Sequence, residues 1–372
     1  MNQENSFAIC IPTCGRIEAL QTCASSLAGQ IQRHPDFEVV VVDNNIDDAY
    51  SNQVREVCRY FGIAEKYVRE QRPGLSSARH SLLSVTNSNI LCYVDDDVIF
   101  THDWFHSIRD TFLDPNVAIA GGPAIPRFHC SIPSWFWDFV SPTPYGGWSN
   151  GWLSLLDIGK DVDDIDANWI WGLNFAIRRD VLIDCGGFHI DLVPRQFMRW
   201  QGDGETGLTM KLAAKGCKAV YRQNSLLFHQ CGSERLNPAY FAKRAYYQGI
   251  CNSFTELRMR LKSNAEVAPA ASLSQNLLLR AIKKVKISIT SKFPLNPSKL
   301  QTQSPWAESA SEVRKLCQQA EREGYLFHQH EAAQDPKLRK WICRENYFDI
   351  DLRELFAEYQ REHAHGNILI ND

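Results

Sequence analysis

Short, near-continuous apolar runs recur along the first part of the chain, and between them apolar positions space out at helical intervals. Residues 7–12 form the first run and stop at Pro12-Thr13-Cys14-Gly15, a strand followed by a turn. Across 18–32, Leu20, Cys23, Leu27 and Ile31 share one helical face. Residues 37–42 read as a second buried strand, closed by Asp43-Asn44-Asn45, which suits a tight turn or a ligand loop. Helix is expected at 54–60 and 75–85, and strand at 65–69 and 90–94. Strands alternating with helices predict a parallel α/β sheet. Ligands of such open sheets bind outside the carboxyl ends of the strands. Three of those ends carry Thr13, Asp43 and the triplet Asp95-Asp96-Asp97.

The triplet is the first candidate for chemistry. Buried acids without a partner are costly, so they normally pair or bind a metal. Two aspartates one residue apart at a strand end suit a divalent cation carrying phosphates. The alternative is a polar cap on a core strand. Further along, strands are expected at 117–120, 174–177, 219–221 and 226–229, with helices at 206–215 and 240–261. Residues 127–171 hold Trp135, Trp137, Trp148, Trp152, Trp169 and Trp171, six of the ten tryptophans. Interleaved Pro and Gly argue against long regular elements there. The aromatics suit either an irregular core patch or a surface for sugar rings. Residues 157–166 are acid-rich but lack the central glycine of a calcium loop, so they read as a solvated face.

A second acidic stretch, Gly202-Asp203-Gly204-Glu205-Thr206-Gly207-Leu208, precedes the helix that Gly216 ends. A carboxylate at a helix start is favoured in its ionised form. In a cleft it can accept a proton as general base; otherwise it caps the first amides. His229 closes a short apolar run and is either a core histidine or part of a metal shell, most suitably for Mn²⁺.

Composition narrows the classes. The chain has 372 residues and a net charge of -3, which gives no reason to expect nucleic acid as partner. Its twelve cysteines show neither CxxC pairs nor zinc spacing. The polar start and the lack of a run near ~20 apolar residues lead to the expectation of a cytoplasmic protein, peripheral at most to the inner membrane face. Residues 267–307 contain no Asp or Glu, and 277–292 interleave Arg280, Lys283, Lys284, Lys286 and Lys292 with apolar residues. That is a basic amphipathic segment, suited to an anionic membrane surface or to packing on the rest of the protein. Three regions are expected: a catalytic domain at 1–265, the basic segment and a Pro-marked linker at 266–305, and a helical tail at 306–372.

Several pieces occur together in one order. They are Ile11-Pro12-Thr13-Cys14-Gly15-Arg16, Val42-Asp43-Asn44, Gly74-Leu75-Ser76-Ser77-Ala78-Arg79 and Val94-Asp95-Asp96-Asp97, then the stretch from Gly172 to Arg179, Gly186-Gly187-Phe188 and the 202–208 stretch. As an ordered set, over about residues 5–232, this resembles the family 2 glycosyltransferases. The resemblance implies the GT-A fold, a Rossmann-like α/β nucleotide-diphospho-sugar transferase domain, here with a mainly helical C-terminal extension. It implies inverting transfer of a sugar from a UDP- or GDP-sugar to a carbohydrate or glycolipid acceptor, with Mn²⁺ or Mg²⁺. Pro12, Thr13, Arg16, Asp43, Arg79, Asp95 and Asp96 are then expected on the nucleotide sugar, and Asp97 and His229 on the metal. Trp171, Gly172 and Trp200 are expected toward the acceptor. The family base sits in a Glu-Asp pair before a helix. Here Gly204 stands where the family has Glu, and Glu205 where it has Asp, so Glu205 is the expected base and Asp203 the second choice. Two other classes compete. A sugar-nucleotide nucleotidyltransferase normally opens with a Gly-rich loop and a lysine, whereas residues 12–16 hold one glycine and no lysine. A non-catalytic carbohydrate-binding protein has no need of the acids.

Overall fold

The computed structural model describes residues 5–35, 37–45, 48–63, 66–263 and 309–363. The chain opens with strand β1 (Phe7–Thr13), helix α1 (Ile17–Ile31), β2 (Phe37–Asp43), α2 (Ser51–Phe61), β3 (Lys66–Arg69), α3 (Leu75–Val85) and β4 (Ile90–Val94). Then come β5 (Val98–Phe100), α4 (Trp104–Thr111), β6 (Val117–Gly121) and β7 (Ala124–Phe128). Three short strands follow, β8 (Ser141–Pro142), β9 (Trp148–Asn150) and β10 (Leu155–Asp157), before β11 (Asn174–Arg178) and α5 (Arg179–Asp184). The domain continues through α6 (Gly204–Ala214), β12 (Lys218–Tyr221) and β13 (Leu227–Cys231).

Seven strands form the main sheet in the order β12-β6-β11-β4-β1-β2-β3. All pairings are parallel except those of β11, which runs antiparallel to both β4 and β6. Every residue of β1 and β4 is buried, as expected for strands covered on both faces. The two-residue side-chain period divides them. Phe7, Ile9 and Ile11 join Leu20, Val54 and Trp104 in one core, while Ala8, Cys10 and Tyr93 join Ala78, Leu82 and Leu208 in the other. At ~1.5–3 kcal/mol for each large apolar side chain buried, these two cores hold the sheet rigid beneath its carboxyl edge.

That edge is where the topology reverses. β1 continues on one side to β2 and on the other to β4, so a crevice opens between Thr13 and the acids after Val94. Because β11 is antiparallel, its first residue pairs with the last of β4, Asn174 opposite Val94. The segment entering β11, Trp171-Gly172-Leu173, is thereby delivered to the same edge. The smaller sheet, β5-β13-β7-β10-β9-β8, carries His229 on β13 opposite Val98. Regular elements do exist within 127–171, but the strands β8 to β10 have two or three residues each, too short to leave a periodic trace in sequence.

Two compact units divide the chain: Met1–Leu236 with Arg344–Asp372, and Asn237–Cys343. This differs from the expected boundaries at 265 and 306. The long helix over 240–261 belongs to the second unit, and the end of the chain returns to the first. Within the second unit, α7 (Pro238–Lys262) pairs with α8 (Ala310–Gln334), followed by α9 (Pro336–Ile342). Asn237 accepts from the Tyr240 amide to cap α7, and Ser309 and Glu312 form a capping box on α8. The last helix, α10 (Leu352–His363), belongs to the first unit. The basic segment 277–292 lies outside the described residues.

Candidate active site

Thr13, at the end of β1, donates to Asp96 Oδ2 at 2.6 Å. The Arg16 guanidinium bridges Asp96 and Asp97 from the turn after β1. Asp96 is fully buried, and burial raises its pKa against the pull of Arg16. Burial acts upward on Asp97 as well, but its contact with His229 and the charges of Arg16 and Arg235 outweigh it and hold the carboxyl well below its ordinary value. The middle acid is therefore a buried strut.

Asp97 Oδ1 is buried without a hydrogen bond and lies 3.3 Å from His229 Nε2. His229 Nδ1 is 2.9 Å from the Leu153 carbonyl, which only accepts, so Nδ1 carries the proton and Nε2 presents its lone pair. Arg235 donates to that Nε2 at 2.8 Å and also pairs with Asp97. A guanidinium thus stands against both groups. An unpaired carboxylate oxygen and an imidazole lone pair fit Mn²⁺ or Mg²⁺. Among the described residues no set of three His, Cys, Asp or Glu side chains gathers as a metal cage.

Arg79, on α3, is the hub of the other half. It is buried, donates to the Gly172 carbonyl at 3.0 Å, and lies 3.3 Å from Glu205 and 3.7 Å from Asp95. Burial works against its charge, but Glu205, Asp95 and Asp191 outweigh it and raise the pKa. Glu205 Oε1 also accepts from the Gly172 amide at 3.3 Å. A side chain at Gly172 would press into the Arg79 guanidinium and the Glu205 carboxylate, so only glycine permits this approach.

Neither carboxylate of the second acidic stretch caps a helix. Asp203 occupies the N-cap position of α6, yet its side chain makes no capping bond. It lies instead 2.6 Å from His189 Nδ1, and both groups are buried. The Glu205 side chain keeps 30% of its surface exposed. It is the open carboxylate of the two.

Three expected positions sit differently from the rest. Asp43 is wholly buried. Its oxygens accept from Ser51, Tyr67, Arg69 and both nitrogens of Asn45. It organises the loop after β2 rather than turning a free oxygen outward. Pro12 is buried within β1, opposite Val42. Trp200 is 5% exposed and packs on Phe197, Phe356 and Tyr359. Its faces are covered by these aromatic neighbours. Trp171 is half-buried and stacks on Trp169, with ring centroids 6.2 Å apart, and it adjoins Gly172. Arg235, His189 and the donors around Asp43 escaped sequence reasoning, since no motif or period marks them.

A nearly parallel sheet with acids at its reversal point and an acid-bearing helix alongside defines a nucleotide-sugar transferase of the GT-A fold. Residues 8–186 match glycosyl transferase family 2, and this part of the chain is a domain of that family. It is 19% identical to the glucosyl-dolichyl phosphate glucuronosyltransferase of Haloferax volcanii, over 68% of this chain and 77% of that protein. It is 22% identical to glycosyltransferase AglE of the same organism, over 60% of this chain and 70% of that one. A solved structure, the mannosyltransferase PcManGT from Pyrobaculum calidifontis in complex with GDP-Man and Mn²⁺, matches with a TM-score of 0.47 at 15% identity, covering 98% of this chain and 89% of that chain.

Proposed function

We propose that this glycosyltransferase moves a sugar, with inversion, from a UDP- or GDP-sugar to a hydroxyl of a carbohydrate or glycolipid acceptor. The observation that carries this reading is Glu205, half-open and held between the Gly172 amide and Arg79, which reaches on to Asp95 at the donor edge. Glu205 takes the proton of the acceptor hydroxyl. The acceptor oxygen then bonds to the anomeric carbon as the sugar–phosphate bond breaks, and the nucleoside diphosphate leaves with the electron pair. Arg79, itself buried and fixed by the Gly172 carbonyl, keeps the carboxylate oriented without itself moving a proton. The Trp169–Trp171 pair beside Gly172 offers an aromatic face for the acceptor ring.

Asp97 and His229 would hold a divalent cation, with Asp95 beside them toward the nucleotide. When bound, the ion stabilises charge on the departing diphosphate as a Lewis acid. Arg16 and Arg235 neutralise these acids in its absence. Diphosphate oxygens and water would supply the rest of such an ion's ligands. Metal and nucleotide should therefore bind together: a thermal-shift panel gives a larger rise with Mn²⁺ and one nucleoside diphosphate than the two separate shifts combined. Strictly additive shifts would count against the shared site.

Two other observations bear on setting. The Haloferax relative's name specifies a lipid-linked acceptor, which supports a glycolipid here. The basic run 277–292 supports contact with an anionic membrane surface, tested by co-sedimentation with anionic liposomes and its loss on charge neutralisation. The test of the central reading is Glu205→Gln, expected to lower turnover by ~10²–10⁴ while nucleotide affinity is kept. Full activity in that variant would overturn it.

A further inference from the structure

Residues 345–348 lie against the helix that bears Glu205. After leaving the first unit at Leu236, the chain rejoins it at Arg344. The Tyr347 amide donates to the Gly186 carbonyl at 3.0 Å. Lys211, on α6, donates to the carbonyls of Cys185 and Glu345 at 2.8 and 3.1 Å, with its ammonium 5.4 Å from the Tyr347 ring centroid. Phe348 meets His80 at 4.7 Å between ring centroids, and Arg72 donates to the Phe348 carbonyl at 3.0 Å. Gly186 has φ +73°, and a Cβ there would overlap the Glu345 carbonyl. The strap therefore lies directly on the Gly186-Gly187 turn.

Beneath the strap is His189. Its ring lies 4.3 Å from that of Tyr347, and both residues are buried. The His189 amide donates to the Gly204 carbonyl at 3.1 Å. Its Nδ1 is 2.6 Å from Asp203 Oδ1, and since a carboxylate only accepts, Nδ1–H is the donor. A Cβ at Gly207 would overlap the His189 ring and Asp203 Oδ1. Residues 203, 204 and 207 thus all meet His189, Asp203 and Gly207 at its imidazole and Gly204 at its amide, and Glu205 sits among them. Among the described residues, its own carboxylate is held by the Gly172 amide and Arg79.

We infer that the strap at 345–348 is a positioning element for catalysis: Tyr347 presses His189 against Asp203, and that pair sets the first turn of α6 from which Glu205 reaches the acceptor. The inference rests on Glu205 being the base. It gives the buried Asp203 a task, as the handle by which the turn is held, and it makes a segment outside the 8–186 family match part of the catalytic arrangement.

A double-mutant cycle tests it. Tyr347→Ala should lower kcat about tenfold, since small misplacements of a reacting group are costly, with donor KM and nucleotide affinity unchanged. Tyr347→Phe, which keeps the ring, should restore the rate. His189→Asn, which keeps an N–H donor, should fall less than His189→Ala. In a Glu205→Gln background, Tyr347→Ala should have no further effect, because the group it positions is gone. Hydrogen exchange at 203–208 should quicken in Tyr347→Ala, at a temperature where the variant is fully folded. An equal loss in both backgrounds, a loss confined to donor KM, or unchanged exchange at 203–208 would overturn the strap alone. A fully active Glu205→Gln would remove the base reading first and the inference with it.

Discussion

Asp43 is held by donors from three different elements: Ser51 from α2, Tyr67 and Arg69 from β3, and Asn45 from its own loop. Burial works upward on its pKa, but those hydrogen bonds outweigh it and lower the value to about 2 from the ordinary 3.8. A group depressed by folding stabilises above its unfolded pKa and loses that contribution as pH falls through the folded value. Asp43 should therefore contribute roughly 2 kcal/mol at neutral pH, lost between about pH 4 and pH 2. Denaturant unfolding of wild type and Asp43→Asn should show the gap narrowing over that window, and a constant gap would refute the assignment. The acid itself was legible at the end of an apolar run. Its saturation was not, because Tyr67 and Arg69 become neighbours only through the β2–β3 pairing. Arg235 escaped for the same reason, since nothing local links it to Asp97, far earlier in the chain.

Helices and strands were most legible where both cores bury them. The helix expected at 75–85 matches α3, and the runs at 7–12 and 90–94 match β1 and β4 closely. α6 starts at Gly204, two residues before the expected 206. Glycines on either side of Asp203 read as loop, but the His189 grip fixes the first turn through tertiary contacts that propensity does not register. The α7–α8 pair carries its own prediction. A Cβ at Gly249 would overlap the Glu321 carbonyl, and one at Gly324 the Tyr246 carbonyl. Alanine normally favours a helix over glycine by roughly 0.5–1 kcal/mol. Here the backbone overlap opposes it, at ~1–3 kcal/mol or more for overpacking. Gly249→Ala and Gly324→Ala should each destabilise, seen as a lower denaturation midpoint; a stabilising result at either position would mean the helices part without cost.

Across the chain, the family match ends at 186, yet Asp203, Glu205, His229 and the returning segment all lie beyond it. Ending the protein at Cys343 would remove the buried Tyr347, Ile350 and Leu352. At ~1.5–3 kcal/mol for each buried side chain, less the entropy of ordering the segment, the first unit should lose several kcal/mol. That corresponds to a fall in Tm of about 5 °C or more for a domain of this size. An unchanged Tm would show that the segment is dispensable to the fold. The resemblance in the motifs was readable because those residues cluster in sequence. The division into units was not, because it depends on which distant segment 344–363 packs against.

The reversed direction of β11 has one more consequence. Its pairing with β4 sets Asn174 opposite Val94, so the acids that follow β4 and the Gly172 segment that enters β11 stand at the same end of one backbone ladder. The spacing between attacking and departing groups is then built into strand register, which a loop cannot alter without slipping the ladder. The Trp-rich stretch 127–171 lies wholly before that register begins. It also supplies the Leu153 carbonyl that fixes His229, and the core residues Leu156, Ile158, Ile165 and Ile170. A swap of acceptor specificity should therefore keep those positions and exchange only the residues between them, with its downstream junction at Gly172.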